Sequence, residues 1–146
     1  MPASEHNREL KRLLVDLGRS LLQYVGECWP WTDSAEEEIH HTIDRLVSRQ
    51  KREIGRLGVL LSHRERVVDF GTYPTEYTDL HFLSLDYLLG ELVAGENDLV
   101  RDLERAVDDH ADDPEAAELL RSFLQVERDA AAELTELAKS RAAATA

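Results

Sequence analysis

The sequence predicts an all-α fold, a four-helix bundle with a crossover between its second and third helices. Three observations carry that expectation. Apolar residues recur by threes and fours over four long stretches, the spacing of one helical face. Gly and Pro are sparse (7 and 4 of 146 residues) and aromatic content is 6%, a composition that disfavours a sandwich or barrel. A polar and extended segment over 64–77 is long enough to run the length of a bundle. The whole chain, 1–146, reads as one domain large enough to bury a core.

The first helix is expected over about 4–28. Ser4 can cap it, and its stripe is Leu10, Leu14, Leu17, Leu21, Tyr24, Cys28. It ends at Trp29-Pro30-Trp31, because Pro cannot continue a helix. The second, over 33–63, opens with Asp33 as cap and Glu36 completing a capping box. Its stripe is Ile39, Ile43, Leu46, Gln50, Ile54, Leu57, Leu61. Gly55 and Gly58 cost roughly 1 kcal/mol each there relative to Ala, tolerable where another backbone packs closely.

The segment 64–77 decides the topology. Read as a loop of about fourteen residues at ~3.3 Å each, it lets the third helix run parallel to the second. If the second helix instead continues to Phe70, the bundle is plain up-down-up-down. The third helix, over 78–110, starts apolar almost all round, with Leu80, Phe82, Leu83, Leu85, Tyr87, Leu88 and Leu89. Either the crossover or a second subunit should cover the extra face. Asp113-Pro114-Glu115 starts the fourth helix, over 114–140, with the stripe Leu120, Leu124, Glu127, Ala131, Leu134, Ala138. The tail from Lys139 is expected to fray.

The formal net charge of −13 argues against nucleic acid or an anionic membrane as partner. No apolar run approaches a membrane span, and the first residues lack the pattern of a signal peptide. A single cysteine, Cys28, forms no internal disulfide. These features read as cytoplasmic.

Chemistry is concentrated on the inner stripes. Glu96 stands where Leu or Val is expected, and a buried carboxylate needs a partner, a metal or a proton. Counted from the turn near Asp112, Glu96 lies about as far before it as Glu127 lies after, so an antiparallel pair sets them at one level. The same count on the second helix, with the crossover, brings Gln50 and Glu53 there.

Four helices, a crossover and mid-bundle acids resemble the ferritin-like superfamily, whose members hold two iron or manganese ions. Their ligands are a Glu from each of two helices and a Glu-x-x-His from each of the other two. The resemblance covers roughly 4–139 and implies Glu53, Glu96 and Glu127 as metal ligands. Glu96 matches the lone Glu of the third helix and Glu127 the first residue of the fourth-helix motif. The motif positions read Glu127-Arg128-Asp129-Ala130 and Glu53-Ile54-Gly55-Arg56, so both histidines are missing, and the first helix has no clear inward Glu. Arg56 offers the other account, a guanidinium bridging Glu53, Glu96 or Glu127 where relatives hold metal. Both accounts stand on the sequence.

Other candidates are weaker. Glu37-x-x-His40 and Glu38-x-x-His41 share the motif spacing but lie in the first turns of a helix, where Glu opposes the dipole anyway. His63, His81 and His110 read as surface or capping residues. Trp29, Pro30 and Trp31 read as a plug on one bundle end. The basic run Arg45, Arg49, Lys51, Arg52, Arg56 reads as a solvated face or as salt bridges to acidic helices. Cys28 lacks the basic surroundings of a nucleophile. Two function classes follow. One is a non-catalytic bundle, expected as a homodimer or with a protein partner and no cofactor. The other is a carboxylate-bridged iron or manganese protein handling iron, oxygen or peroxide.

Overall fold

The computed structural model describes residues 2–29, 36–64, 70–82 and 84–145, and the architecture below is that of these residues. It is all-helical, with no strand among them. Five α-helices are present: α1 Ala3–Gly18, α2 Leu21–Cys28, α3 Glu37–His63, α4 Leu85–Asp109 and α5 Pro114–Thr145. A 3-10 helix, Thr75–Phe82, precedes α4. Among the described residues no helix is long and apolar enough to cross a membrane.

The expected first helix is two helices, and the break has a local cause. Ser20 is extended (φ −64°, ψ 157°) and its hydroxyl accepts from the Gln23 N–H at 3.3 Å, capping α2. Ser20 and Gln23 have the spacing of a capping box, which outcompetes continuation of the helix. Gly18 lies beside the break, where an added Cβ would come within 2.5 Å of the Phe70 ring. Ser4 is inside α1 and does not cap it, because the helix already begins at Ala3 after an extended Pro2.

The other helix starts also differ from expectation. Asp33 lies outside the described residues, and α3 begins at Glu37. Residues 78–82 wind as 3-10 turns, held by Tyr77 N–H on Pro74 O (3.2 Å) and Thr78 Oγ1 on Thr75 O (2.8 Å). Ser84 then caps α4, its hydroxyl accepting from the Tyr87 N–H at 3.2 Å. Asp113 caps α5 as expected, accepting from the Ala116 N–H. That helix continues to Thr145, past the end expected near 140, through the alanine-rich tail whose propensity favours it.

Buried side chains form two apolar clusters. One joins Leu10, Leu14 and Leu17 of α1 to Leu57 and Leu61 of α3, Leu103 of α4 and Leu120 and Phe123 of α5. The other joins Leu22 and Val25 of α2 to Ile43 and Leu46 of α3, Leu88, Leu89 and Leu92 of α4 and Leu134 of α5. Both α3 and α4 therefore run from the second cluster to the first, parallel to each other. The chain between them must return along the molecule. Its described part, 70–82, lies beside the broken first rod: Phe70 sits against Gly18, and Tyr73 and Tyr77 pack on Tyr24 with ring centroids 5.3 Å apart. The Tyr73 hydroxyl donates to Glu27 at 2.6 Å. Gly71, at φ 67°, takes the left-handed turn that glycine adopts without strain. Tyr77 and Leu80 of this connection pack against the cluster that includes the start of α4.

Gly55 and Gly58 are not points of close packing, for nothing lies within 4 Å of a Cβ built at either. The close approach is at Gly26, where Val47 would stand 2.7 Å from such an atom.

Candidate functional site

Between the two apolar clusters lies a polar layer. Gln23 of α2, Gln50 and Glu53 of α3, Glu96 of α4 and Glu127 of α5 are all at most 4% exposed. Each sits on the inner face of its helix, one or two turns from the nearest cluster residue, so the fold itself brings them to one level. The structure places Glu53, Glu96 and Glu127 in this layer, as their positions along the helices require.

Gln50 organises it. Its Nε2 donates to Glu127 Oε1 at 2.8 Å and to Glu96 Oε1 at 3.4 Å. Its Oε1 accepts from Gln23 Nε2 at 2.8 Å and from the Ser20 hydroxyl at 3.0 Å. Gln23 also donates to Val47 O at 3.1 Å. A single amide thus ties α2 to α4 and α5.

Glu96 and Glu127 face each other. Burial first, then the hydrogen bond and charge of Glu127, hold the Glu96 carboxyl well above its ordinary range, against the opposing bond from Gln50. Burial also raises Glu127, while hydrogen bonds from Glu96 and Gln50 favour its charged form. The two carboxyls titrate as a pair, and the charge of one opposes ionisation of the other. Glu96 Oε2 and Glu127 Oε2 are buried and without a hydrogen-bond partner.

Arg56 does not enter this pair. It binds Glu53 of its own helix, Nη1 lying 3.2 Å and 3.1 Å from the two carboxylate oxygens, and donates to the Ser122 hydroxyl of α5 at 3.0 Å. Its side chain is 51% exposed, so it closes the layer from the α3–α5 surface. The ion pair expected with Arg56 exists for Glu53 and not for Glu96 or Glu127. The i, i+3 spacing already favoured that choice.

Among the described residues, no group of three or more His, Cys, Asp or Glu is arranged to hold a metal ion. His41 Nε2 lies 3.5 Å from Glu37 and His40 Nε2 3.3 Å from Asp44, so both pair four residues apart and at the surface, without the Glu-x-x-His geometry. His63 is exposed, and the side chain of His81 lies outside the described residues. Trp29 packs partly buried on the second cluster; Pro30 and Trp31 lie outside the described residues. Partial desolvation, then the charge of Glu27, raise the Cys28 thiol, away from a nucleophilic thiolate. In the basic run, Arg45 pairs with Glu133 at 3.0 Å.

Two groups escaped the sequence reading. Ser20 and Gln23 carried a signal, the capping-box spacing itself. His6 and His110 carried none. They meet at a ring-centroid distance of 4.6 Å at the far end of the first cluster, 4% and 1% exposed, with His6 Nε2 2.9 Å from Asp112 Oδ1. His110 does follow the last residue of α4, but as a buried residue. Beside them Arg64 grips Asp113 through two bonds of 2.8 Å and 2.9 Å and donates to Asn7 at 2.9 Å. The ends of α1, α3, α4 and α5 are tied together there.

No family model, curated protein or solved structure matches this chain.

Proposed function

We propose that this chain is a ferritin-like four-helix bundle without a catalytic centre, acting through association with a second copy of itself or with a protein partner. In this reading α1 and α2 together take the place of the bundle's first helix. The return of the chain between parallel α3 and α4 supplies its crossover. The observation that carries the reading is the fate of the third carboxylate. Glu53 is held by Arg56 and Ser122, which leaves Glu96, its carboxyl raised by burial, and Glu127 with the Gln50 amide. A di-metal centre of this superfamily needs four carboxylates and two imidazoles. The donor set here, two carboxyls facing an amide donor, does not fit a metal pair.

A second reading, a carboxylate-bridged iron or manganese protein handling iron, oxygen or peroxide, has one observation in its favour. Glu96 Oε2 and Glu127 Oε2 are buried atoms without a side-chain donor. Metal analysis of protein purified without chelator, run beside sedimentation, separates the two. The first reading expects a dimer free of stoichiometric iron and manganese. Stoichiometric metal that Glu127→Gln abolishes would overturn it.

A further inference from the structure

The surface groove between α3 and α5 has a shape and a charge pattern that fit one occupant. On α3, Arg52, Gly55, Arg56 and Val59 share a face, since positions three, four and seven apart align on a helix. Glu115 and Glu118 of α5 stand on the other wall. Val59 is 57% exposed, more than any other large hydrophobic side chain described. The space above Gly55 is open, so the backbone of α3 is accessible to another helix there. Charge is graded along the groove. Arg56 is level with Ser122, at 3.0 Å, whereas Arg64, about two turns on, reaches Glu115 at 4.0 Å. Arg52 and Arg56, the latter paired with Glu53, thus occupy one end, and Glu115, with Arg64 beside it, and Glu118 lie towards the other. The basic end is set in a chain of net charge −13.

We propose that a second copy of the chain docks in this groove about a two-fold axis passing near Val59. Arg52 and Arg56 of each copy then lie over Glu115 of the other, with Glu118 close to the axis. The inference rests on the self-association reading above and names its surface. A two-fold axis reverses the groove in the second copy, so the basic end of each lies over the acidic end of the other and one patch serves both copies. Val59 meets its own counterpart at the centre, and the charges around it select the partner and its orientation. A partner of uniform charge would be attracted at one end and repelled at the other.

The test is sedimentation of the full chain over a range of concentrations. The Arg52→Glu and Glu115→Arg variants each place like charges face to face at both contacts, and each is expected to weaken dimerisation at least about tenfold. Mixing the two variants restores opposite charges at both contacts, as does the R52E/E115R double variant. Both are expected to dimerise about as well as wild type. A wild-type monomer at every concentration overturns the self-association reading together with this surface. A dimer indifferent to either single variant overturns the surface alone, and failure of the mixture to recover overturns the two-fold pairing. Because both residues are exposed, circular dichroism should give wild-type helicity. As a second measurement, Val59→Cys in a Cys28→Ser background, treated with an added two-electron thiol oxidant such as diamide, should form a disulfide-linked dimer, and its failure to do so overturns the placement of the axis.

Discussion

Replacing Gln50 by Leu tests the polar layer where it is most concentrated. Gln50 is fully buried and serves four groups, and Leu can serve none. Glu96 Oε1 would lose only a long contact of 3.4 Å and Gln23 would keep Val47 O, while the Ser20 hydroxyl and Glu127 Oε1 would each lose a bond. Stranding a buried polar group costs about 1–3 kcal/mol, towards the upper end for a charged one, so the two together cost roughly 3–6 kcal/mol. Burial of the larger apolar side chain returns about 1–2 kcal/mol. The net expectation is a loss of roughly 2–4 kcal/mol, a large part of the ~5–15 kcal/mol that stabilises a typical domain. At ~2–4 °C per kcal/mol for a chain of this size, Tm should fall by about 5–15 °C. Guanidinium unfolding followed by circular dichroism measures it directly. The double variant Q50L/E127L should lose less than the sum of its single losses, because each single change strands a group that the other removes. An unchanged unfolding midpoint for Gln50→Leu would refute the network.

Glu96→Gln keeps a donor towards Glu127 and removes the ionisable group. The Glu96 carboxyl is raised on folding, so its contribution to stability is full below the ordinary carboxyl pKa of 4.5 and is lost as pH rises through its folded value. The variant should match wild type near pH 4 and exceed it increasingly towards pH 8 in urea midpoints; a pH-independent gap would contradict a raised Glu96 carboxyl. Asp113 is shifted the other way, its carboxyl lowered first by the Arg64 hydrogen bond, against its burial. Asp113→Ala removes that pair and the α5 cap, and thermal melts should show a loss of about 1.5–3 kcal/mol at pH 7 that shrinks as pH falls below 3.8. Gly26→Ala would press on buried Val47 and should cost about 1–3 kcal/mol, whereas Gly58→Ala, with open space around it, should add about 0.5–1 kcal/mol by helix propensity. Equal responses of the two glycines in thermal melts would contradict the packing around α2.

The sequence makes the height of a residue in the bundle legible and leaves its direction around the helix axis uncertain. Counting from the Asp112 turn brings Glu96 and Glu127 to one level because an antiparallel pair with a short loop has little freedom to slide. The same count extends to Gln50 and Glu53 once the crossover is assumed. It does not tell that Arg56 turns outward to Ser122. That depends on how α3 is rotated against α5, which no single stripe defines. The start of α4 reads as helix from its apolar run, yet Ser84 resets the frame, since a local cap competes with periodicity over a few residues. The same competition hides Ser20 inside the first stripe. The pairing of His6 with His110 joins residues 104 positions apart, and no local pattern reports it.

The polar layer also bears on why the helices adopt one register. The two apolar clusters are made mostly of leucine. Leucine faces tolerate a slide of one helix past another with modest change in buried area, because one leucine replaces the next. A one-turn slide of α3 against α5 moves Gln50 by about 5.4 Å, which the 2.8 Å bond to Glu127 cannot survive. Every group the slide strands costs about 1–3 kcal/mol, and the chain of bonds from Ser20 through Gln50 to Glu127 strands several at once. The alternatives to the native register are therefore separated from it chiefly by five polar side chains, not by the thirty or so apolar ones. The position of the layer follows from the same reasoning. Between two clusters it opposes displacement of all the long helices at once, which a polar group at either end of the molecule, with water within reach, would not do.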